Sequence, residues 1–300
     1  GNAGSSFSYF DGKKFTLIEA RYTDINTYSI RKELELCEKE YIDTLHITSW
    51  DRDHCSPNEL EQIIKKYTPK KIEYPGYIPH TDSGKASLAI IKAYKYRKDL
   101  FDPKLICIDP EYIESLDQHS GYGYNNIVYH PRRIEENHSN NNSTIKQFRT
   151  GSFNVLSLGD VECPNIAAGL RLMRTINSEV DIMILAHHGA DNGFTTSSFL
   201  KAVAPSVAIV SSNHDNQFEH PKPEIRDLLY KHSIRLFTTK TGDVIIKSIK
   251  NHNGDYEVIN LQSSSTEISS TVTFVAKKRK ILSCNGDTIR NITSHKNHGP

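Results

Sequence analysis

Short apolar runs of strand length alternate along this chain with segments whose apolar residues recur every three or four positions. Ile42 to Thr48 predicts a strand, and Leu60, Ile63, Ile64 and Tyr67 follow at helical spacing. Between them, Ser56-Pro57-Asn58-Glu59 reads as a capping box with proline at the first helical position. Trp50-Asp51-Arg52-Asp53-His54 therefore lies in a loop between a strand end and a helix start. Val155 to Leu158 predicts a second strand with Gly159-Asp160 at its end. A helix with Ile166, Leu170 and Met173 on one face follows. Ile182 to Leu185 predicts a third strand, trailed by His187-His188-Gly189. A short helix through Phe199 leads to a strand at Val207–Val210. The loop from Ser211 to Pro221 carries His214 and His220. A helix through Ile225, Leu228 and Leu229 precedes strands near Leu236 and at Val244–Ile249.

Repeated strand–polar loop–helix order places the chain in the α/β class. Such order tends to gather the loops at one sheet edge. Three strands carry Asp/His clusters at their trailing ends, and the clusters converge if the strands are neighbours. Residues 101–150 look irregular, an insertion ending in the polar run Asn137 to Asn142, which reads as exposed. Beyond 250 the pattern weakens to a strand at Thr271–Val275, the basic run Lys277–Lys280 and a polar tail. We expect one α/β domain over 1–250 and an extension over 251–300, with no internal repeat.

No window approaches ~18 consecutive apolar residues, so no spanning helix is expected. The first six residues lack the features of a signal peptide and begin without Met, so residues upstream are expected. The 5 cysteines form no CxxC pair, which argues against a disulfide framework and fits a reducing cytoplasm. Two glycosylation sequons, at Asn142 and Asn291, then read as chance. The 37 basic and 36 acidic residues leave a net charge of +1, which excludes a strongly basic nucleic-acid coat but not a local basic groove. Apolar residues make up 37% of the chain, enough for a core. Histidine stands out with 14 copies, and histidine is both a frequent metal ligand and a proton carrier.

Asp51-Arg52-Asp53-His54 offers two carboxylates and an imidazole within one loop. Asp160 adds an oxygen and His187 a nitrogen. Imidazoles with carboxylates, and no cysteine, suit Zn²⁺ or Mn²⁺. Two such ions about 4 Å apart would clamp an oxyanion. Each motif alone is weak. The ordered combination, with every member at a strand end, carries the reading.

In that order the motifs resemble the metallo-β-lactamase fold superfamily, more specifically the hydrolase domain of the DNA-uptake channel protein ComEC and its soluble relatives. That family's pattern runs S-H-x-D-x-D-H, then G-D, then H-H-G-S, then a serine strand end and N-x-Y-G-H-P. Here the corresponding stretches are Thr48-Ser49-Trp50-Asp51-Arg52-Asp53-His54; Leu158-Gly159-Asp160; Ala186-His187-His188-Gly189-Ala190; and Ser211-Ser212 with Asn216-Gln217-Phe218-Glu219-His220-Pro221. The resemblance spans residues 1–250 and is densest from 154 to 248.

The resemblance implies an αββα sandwich and hydrolysis by a metal-bound hydroxide, with one or two Zn or Mn ions. It implies Asp51, Asp53, His54, Asp160 and His187 as ligands. Asp53 would also orient the nucleophile, and His188 or His220 would donate a proton or contact the oxyanion, with His214 behind them. Ser49 stands where the family has a histidine. One site would then be weakened, be completed by His119, His130 or His138, or be degenerate. The subgroup points to phosphodiesters, chiefly nucleic acid. Lys92-Ala93-Tyr94-Lys95-Tyr96-Arg97-Lys98, Lys65-Lys66, Lys70-Lys71 and Lys277–Lys280 are local cations that could hold phosphates, and they also suit solvated faces. The alternatives are a degenerate-site sensor or partner-binding subunit of a multi-subunit system, and a hydrolase of small esters or peptides.

Overall fold

In the first of two units the β-strands follow one another in space as they do in sequence. The computed structural model describes residues 4–96, 102–117, 125–213 and 217–284. The first unit comprises Gly1–Gln118 with His130–Thr144, and the second His119–Tyr129 with Ile145–Pro300.

The first unit is built on a five-stranded sheet of β1 (Phe7–Phe10), β2 (Phe15–Ile18), β3 (Thr44–His46), β4 (Lys71–Pro75) and β5 (Lys104–Ile108), in that order. β1 and β2 form an antiparallel hairpin, and β2 to β5 run parallel. Parallel neighbours need crossovers, and α1 (Thr27–Leu36), α2 (Pro57–Tyr67) and α3 (Asp82–Tyr94) supply them, with α4 (Pro110–Asp117) after β5. Helix α2 buries Leu60, Ile63, Ile64 and Tyr67, as their spacing predicts. Its expected capping box is not made. Ser56 makes no side-chain cap, and Glu59 instead accepts from Arg21 Nε at 2.8 Å and from Tyr22 N at 2.6 Å. His46 is a buried strand residue, with Nδ1 2.9 Å from Glu73 on its register partner in β4.

The second unit carries a six-stranded sheet in the order β11-β10-β9-β8-β7-β6. These strands are β6 (Ile127–His130), β7 (Ile145–Phe148), β8 (Val155–Ser157), β9 (Ile182–Ile184), β10 (Val207–Val210) and β11 (Arg235–Thr238). β8 to β11 run parallel, and β7 joins antiparallel. Their helices are α5 (Pro164–Leu170), α6 (Arg174–Glu179), α7 (Ser197–Val203) and α8 (Pro223–Lys231). A three-stranded antiparallel sheet, β12 (Val244–Ile249), β13 (Asp255–Leu261) and β14 (Ile268–Val275), precedes α9 (Arg279–Cys284). The α/β class is therefore as expected, with the two mixed sheets that the metallo-β-lactamase resemblance implies.

Several local expectations are corrected. Residues 101–150 hold β5, α4, β6 and β7 rather than an irregular insertion. The run before residue 143 is not all exposed. Asn141 and Asn142 are buried, and Asn142 exchanges hydrogen bonds of 2.8 Å with the Glu135 backbone. The single helix expected through Met173 is two, with Met173 the N-cap of the second. β12, from the expected α/β domain, pairs in register with β13 of the expected extension.

Lys277 and Lys278 are not part of a basic surface. Asp181, wholly buried ahead of β9, accepts from Lys277 N at 2.7 Å and Asn154 N at 2.8 Å. Lys278 donates to Arg149 O at 2.9 Å and Asn154 Oδ1 at 2.8 Å, and also to Gly151 O. Burial pushes the Lys278 ammonium down to about 8, against opposing attraction from Asp181 and Glu179. The unfolded chain keeps this proton to 10.5, its ordinary value, so between pH 8 and 10.5 the unfolded state binds more protons. Stability from this group therefore rises with pH across that window. Urea denaturation of wild type and Lys278→Met at pH 8 and 10 should show the variant lacking that rise. Parallel pH dependences would refute the assignment.

Candidate metal centre

In the first unit the chain leaves β3 at His46 and turns tightly before α2. Asp51 O accepts from His54 N at 2.9 Å and Cys55 N at 2.8 Å. This turn places Asp51, Asp53 and His54 on one loop. Trp50, 2% exposed, anchors it by donating from Nε1 to Tyr77 O at 2.9 Å. His54 is equally buried. Its Nδ1 lies 3.1 Å from Glu19 Oε1, while Glu19 also accepts from Thr48 N at 3.1 Å and Thr48 Oγ1 at 2.6 Å. A carboxylate can only accept, so Nδ1 carries a proton, and in the neutral ring Nε2 holds the lone pair. Nε2 faces Asp53 Oδ2 at 3.7 Å.

Ser49 is fully buried. Its hydroxyl donates to Asp51 Oδ2 at 3.0 Å and lies 3.1 Å from the Tyr77 hydroxyl, which accepts from Trp50 N at 3.0 Å. Burial pushes the Tyr77 phenol up to about 12, so it remains protonated.

In the second unit β8 and β9 are parallel neighbours, so the residues trailing them converge. The Asp160 and His187-His188 stretches meet for this reason. His187 and His188 adopt left-handed backbone, φ 45° and 52°, in a short 3₁₀ turn, and His187 N donates to Gly159 O at 3.0 Å. His188 Nδ1 donates to Ser211 O, at the end of β10, at 2.9 Å. In the neutral ring its Nε2 is then the lone-pair nitrogen, 4.0 Å from Asp160 Oδ1. His187 Nδ1 lies 2.5 Å from Glu162 Oε1, and its ring packs edge-on to His220 at 5.8 Å. His220 stacks near-parallel on His188 at 6.4 Å and on Phe218 at 5.7 Å. Burial first, then the neighbouring His187, His188 and Lys222, lower His220 to about 4. Its ring is thus neutral at pH 7, a contact for an oxygen rather than a cationic acid.

Gly189 closes the turn at φ 80°, and a Cβ there would lie 2.7 Å from Pro221 Cβ. Gly189→Ala should cost roughly 1–3 kcal/mol from backbone strain plus this clash. Chemical denaturation checks it, and an unchanged midpoint would count against the prediction.

Both units repeat one arrangement. An imidazole is fixed through Nδ1, and its Nε2 lone pair faces a carboxylate oxygen a little beyond hydrogen-bond range. Two acceptors so placed repel unless a proton or a cation lies between them. The donor set of nitrogen and carboxylate oxygen fits a divalent transition ion. Sequence reasoning did not find Glu19, Glu162 or Tyr77. Glu19 had one available signal, its position directly after the strand β2. Of the histidines considered as extra ligands, His130 is buried with Nε2 2.6 Å from Asn141 O, and His138 is exposed. His119 and His214 lie outside the described residues.

No family model matches the chain. The chain is similar to ComE operon protein 3 of Bacillus subtilis (strain 168). They are 25% identical over 218 residues, 72% of this chain and 26% of the relative. The chain thus spans about a quarter of the length of ComE operon protein 3, and the motif resemblance to ComEC is borne out. Among solved structures, CmlA β-hydroxylase (an E377D mutant) matches with a TM-score of 0.45 and 14% identity, covering 79% of this chain and 51% of that one. A protein of Parabacteroides distasonis ATCC 8503, proposed to be a metal-dependent hydrolase, matches at 0.40 and 13%, covering 78% and 98%. Among the described residues, no helix is long and apolar enough to cross a membrane.

Proposed function

We propose that this chain is a metal-dependent hydrolase acting on phosphodiesters. The observation that carries the reading is the repeated pairing of a tied imidazole with a facing carboxylate, His54 with Asp53 and His188 with Asp160. Each pair could offer an ion one imidazole nitrogen and one carboxylate oxygen. When bound, a Zn²⁺ or Mn²⁺ ion would acidify a water and polarise the scissile oxygen. The chain's own groups do the rest. Glu19 and Ser211 O hold the two imidazoles in the tautomer that presents Nε2. His220, neutral at pH 7, offers an imidazole contact to an oxygen of the substrate.

Nucleic acid as substrate is supported by the ComEC-like motif order and not by the tyrosine-rich helix end. Tyr94 is buried and donates to Pro69 O at 3.0 Å, leaving Tyr96 exposed beside it. Metal analysis of the purified protein, with plasmid and oligonucleotide cleavage in Mn²⁺ and in Zn²⁺, tests the reading. Cleavage abolished by chelation and restored by the ion is expected. Protein that binds neither ion refutes the metal reading. Metal binding with hydrolysis only of small esters or peptides refutes the phosphodiester one.

A further inference from the structure

We infer that Phe218 is a stacking shelf for an unpaired nucleobase of the substrate strand, set at the outer end of a row of rings that begins at His188. The inference rests on the phosphodiester reading above and names the form of that substrate. All three rings of the row belong to the second unit. The inner one, His188, is fixed by donating from Nδ1 to Ser211 O at 2.9 Å. His220 follows at 6.4 Å, its plane 12° from that of His188, and Phe218 lies 5.7 Å from His220 with 25° between the planes. Both spacings fall in the range of offset stacking. The loop that carries the outer two rings is pinned to the histidine turn, because Lys222 N donates to Gly189 O at 3.0 Å.

Phe218 is 59% exposed, while His188 and His220 are half-buried. An exposed apolar ring taken singly needs no explanation. Phe218 differs from Tyr230, 88% exposed on α8, in that a second ring backs it and connects it to His188. A phenyl ring has no donor or acceptor, so it reads no particular base, but every base has a flat face that stacks on it. Phe218 is two ring contacts from His188, whose Nε2 is 4.0 Å from Asp160 Oδ1. A base held on Phe218 therefore belongs to a neighbour of the nucleotide whose phosphodiester reacts. In a duplex that base is paired and stacked, so the shelf takes it only from an unpaired strand. A small ester has nothing to place there.

Cleavage of a thymidine oligonucleotide, of an abasic strand of the same length and of the matched duplex is measured in Mn²⁺ and in Zn²⁺. Wild type, Phe218→Leu, Phe218→Trp and Tyr230→Leu are compared, with metal content determined for each. Leucine can still cover His220 but offers no flat face. Phe218→Leu should raise KM for the oligonucleotide about ten- to a hundredfold, the loss of one stacked base, while KM for the abasic strand stays within about twofold of wild type. Phe218→Trp should restore KM, Tyr230→Leu should change neither, and wild type should prefer the single strand to the duplex. An unchanged KM in Phe218→Leu, a preference for the duplex, or an equal loss on both strands with loss of metal would overturn the inference. The last would make Phe218 a structural cover for His220. Each leaves the phosphodiester reading standing, whereas wild type that cleaves none of the three substrates would overturn both.

Discussion

Asp160→Ala should abolish stoichiometric metal binding and lower hydrolysis on the order of 10³-fold, about 4 kcal/mol of transition-state stabilisation. Asp160 sits directly after β8, 5% exposed, with Oδ1 toward the lone-pair nitrogen of His188. It supplies the negative charge beside His188, and Glu162 does not replace it, being engaged by His187 at 2.5 Å. Asp160→Asn keeps the shape and removes the charge, so it should lose nearly as much. If both variants fold, as judged by circular dichroism, and still carry wild-type metal, the assignment of Asp160 fails. His188→Ala should behave like Asp160→Ala. His187→Ala should lose less metal than His188→Ala, because it is His188 whose Nε2 lies near Asp160 Oδ1, at 4.0 Å.

The contrast between these two histidines shows where sequence stops being informative. That a His-His pair trails β9 is legible, because the apolar run Ile182–Ile184 ends there and β8 runs beside it. Which of the two faces Asp160 is not legible. In a strand or a helix, neighbouring residues diverge by a fixed rule. Here both lie in left-handed backbone, φ 45° and 52°, where neither rule applies, and the turn's geometry depends on Gly189 packed against Pro221. The parallel strands β9 and β10 were readable for the usual reason that buried parallel strands are continuous apolar runs. β13, Asp255–Leu261, was not, because Asp255, Glu257 and Asn260 interrupt its apolar positions while Asp255 is buried against Arg279 and Lys250. Glu59 likewise looked like a capping residue only because its real partner, Arg21, is 38 positions away. Local patterns thus revealed the strands and the loop order, while long-range charge pairing, which decides the orientation of polar side chains, stayed hidden.

Glu19 is the clearest case of such a hidden partner, and its replacement carries the second large expected effect. Glu19→Gln should weaken metal binding roughly 10- to 100-fold, the usual consequence of losing the carboxylate behind a ligating imidazole. The residue is 2% exposed and lies in left-handed backbone, φ 71°, a costly conformation for a side chain with a Cβ. Its carboxylate gathers three donors, Thr48 N, Thr48 Oγ1 and His54 Nδ1. Glutamine can still accept with its oxygen, but its amide brings two hydrogens into a pocket of donors. Either Thr48 or His54 must then give way, and the His54 tautomer is no longer fixed. Glu19→Ala leaves all three donors without their acceptor and should cost roughly 3 kcal/mol or more of stability. The two variants separate a positioning role from a structural one. Imidazole nitrogen shifts in Glu19→Gln should show His54 populating both neutral tautomers while the unfolding midpoint moves little. A His54 that stays in the Nδ1–H form with metal affinity unchanged would exclude Glu19 as the residue that aims it.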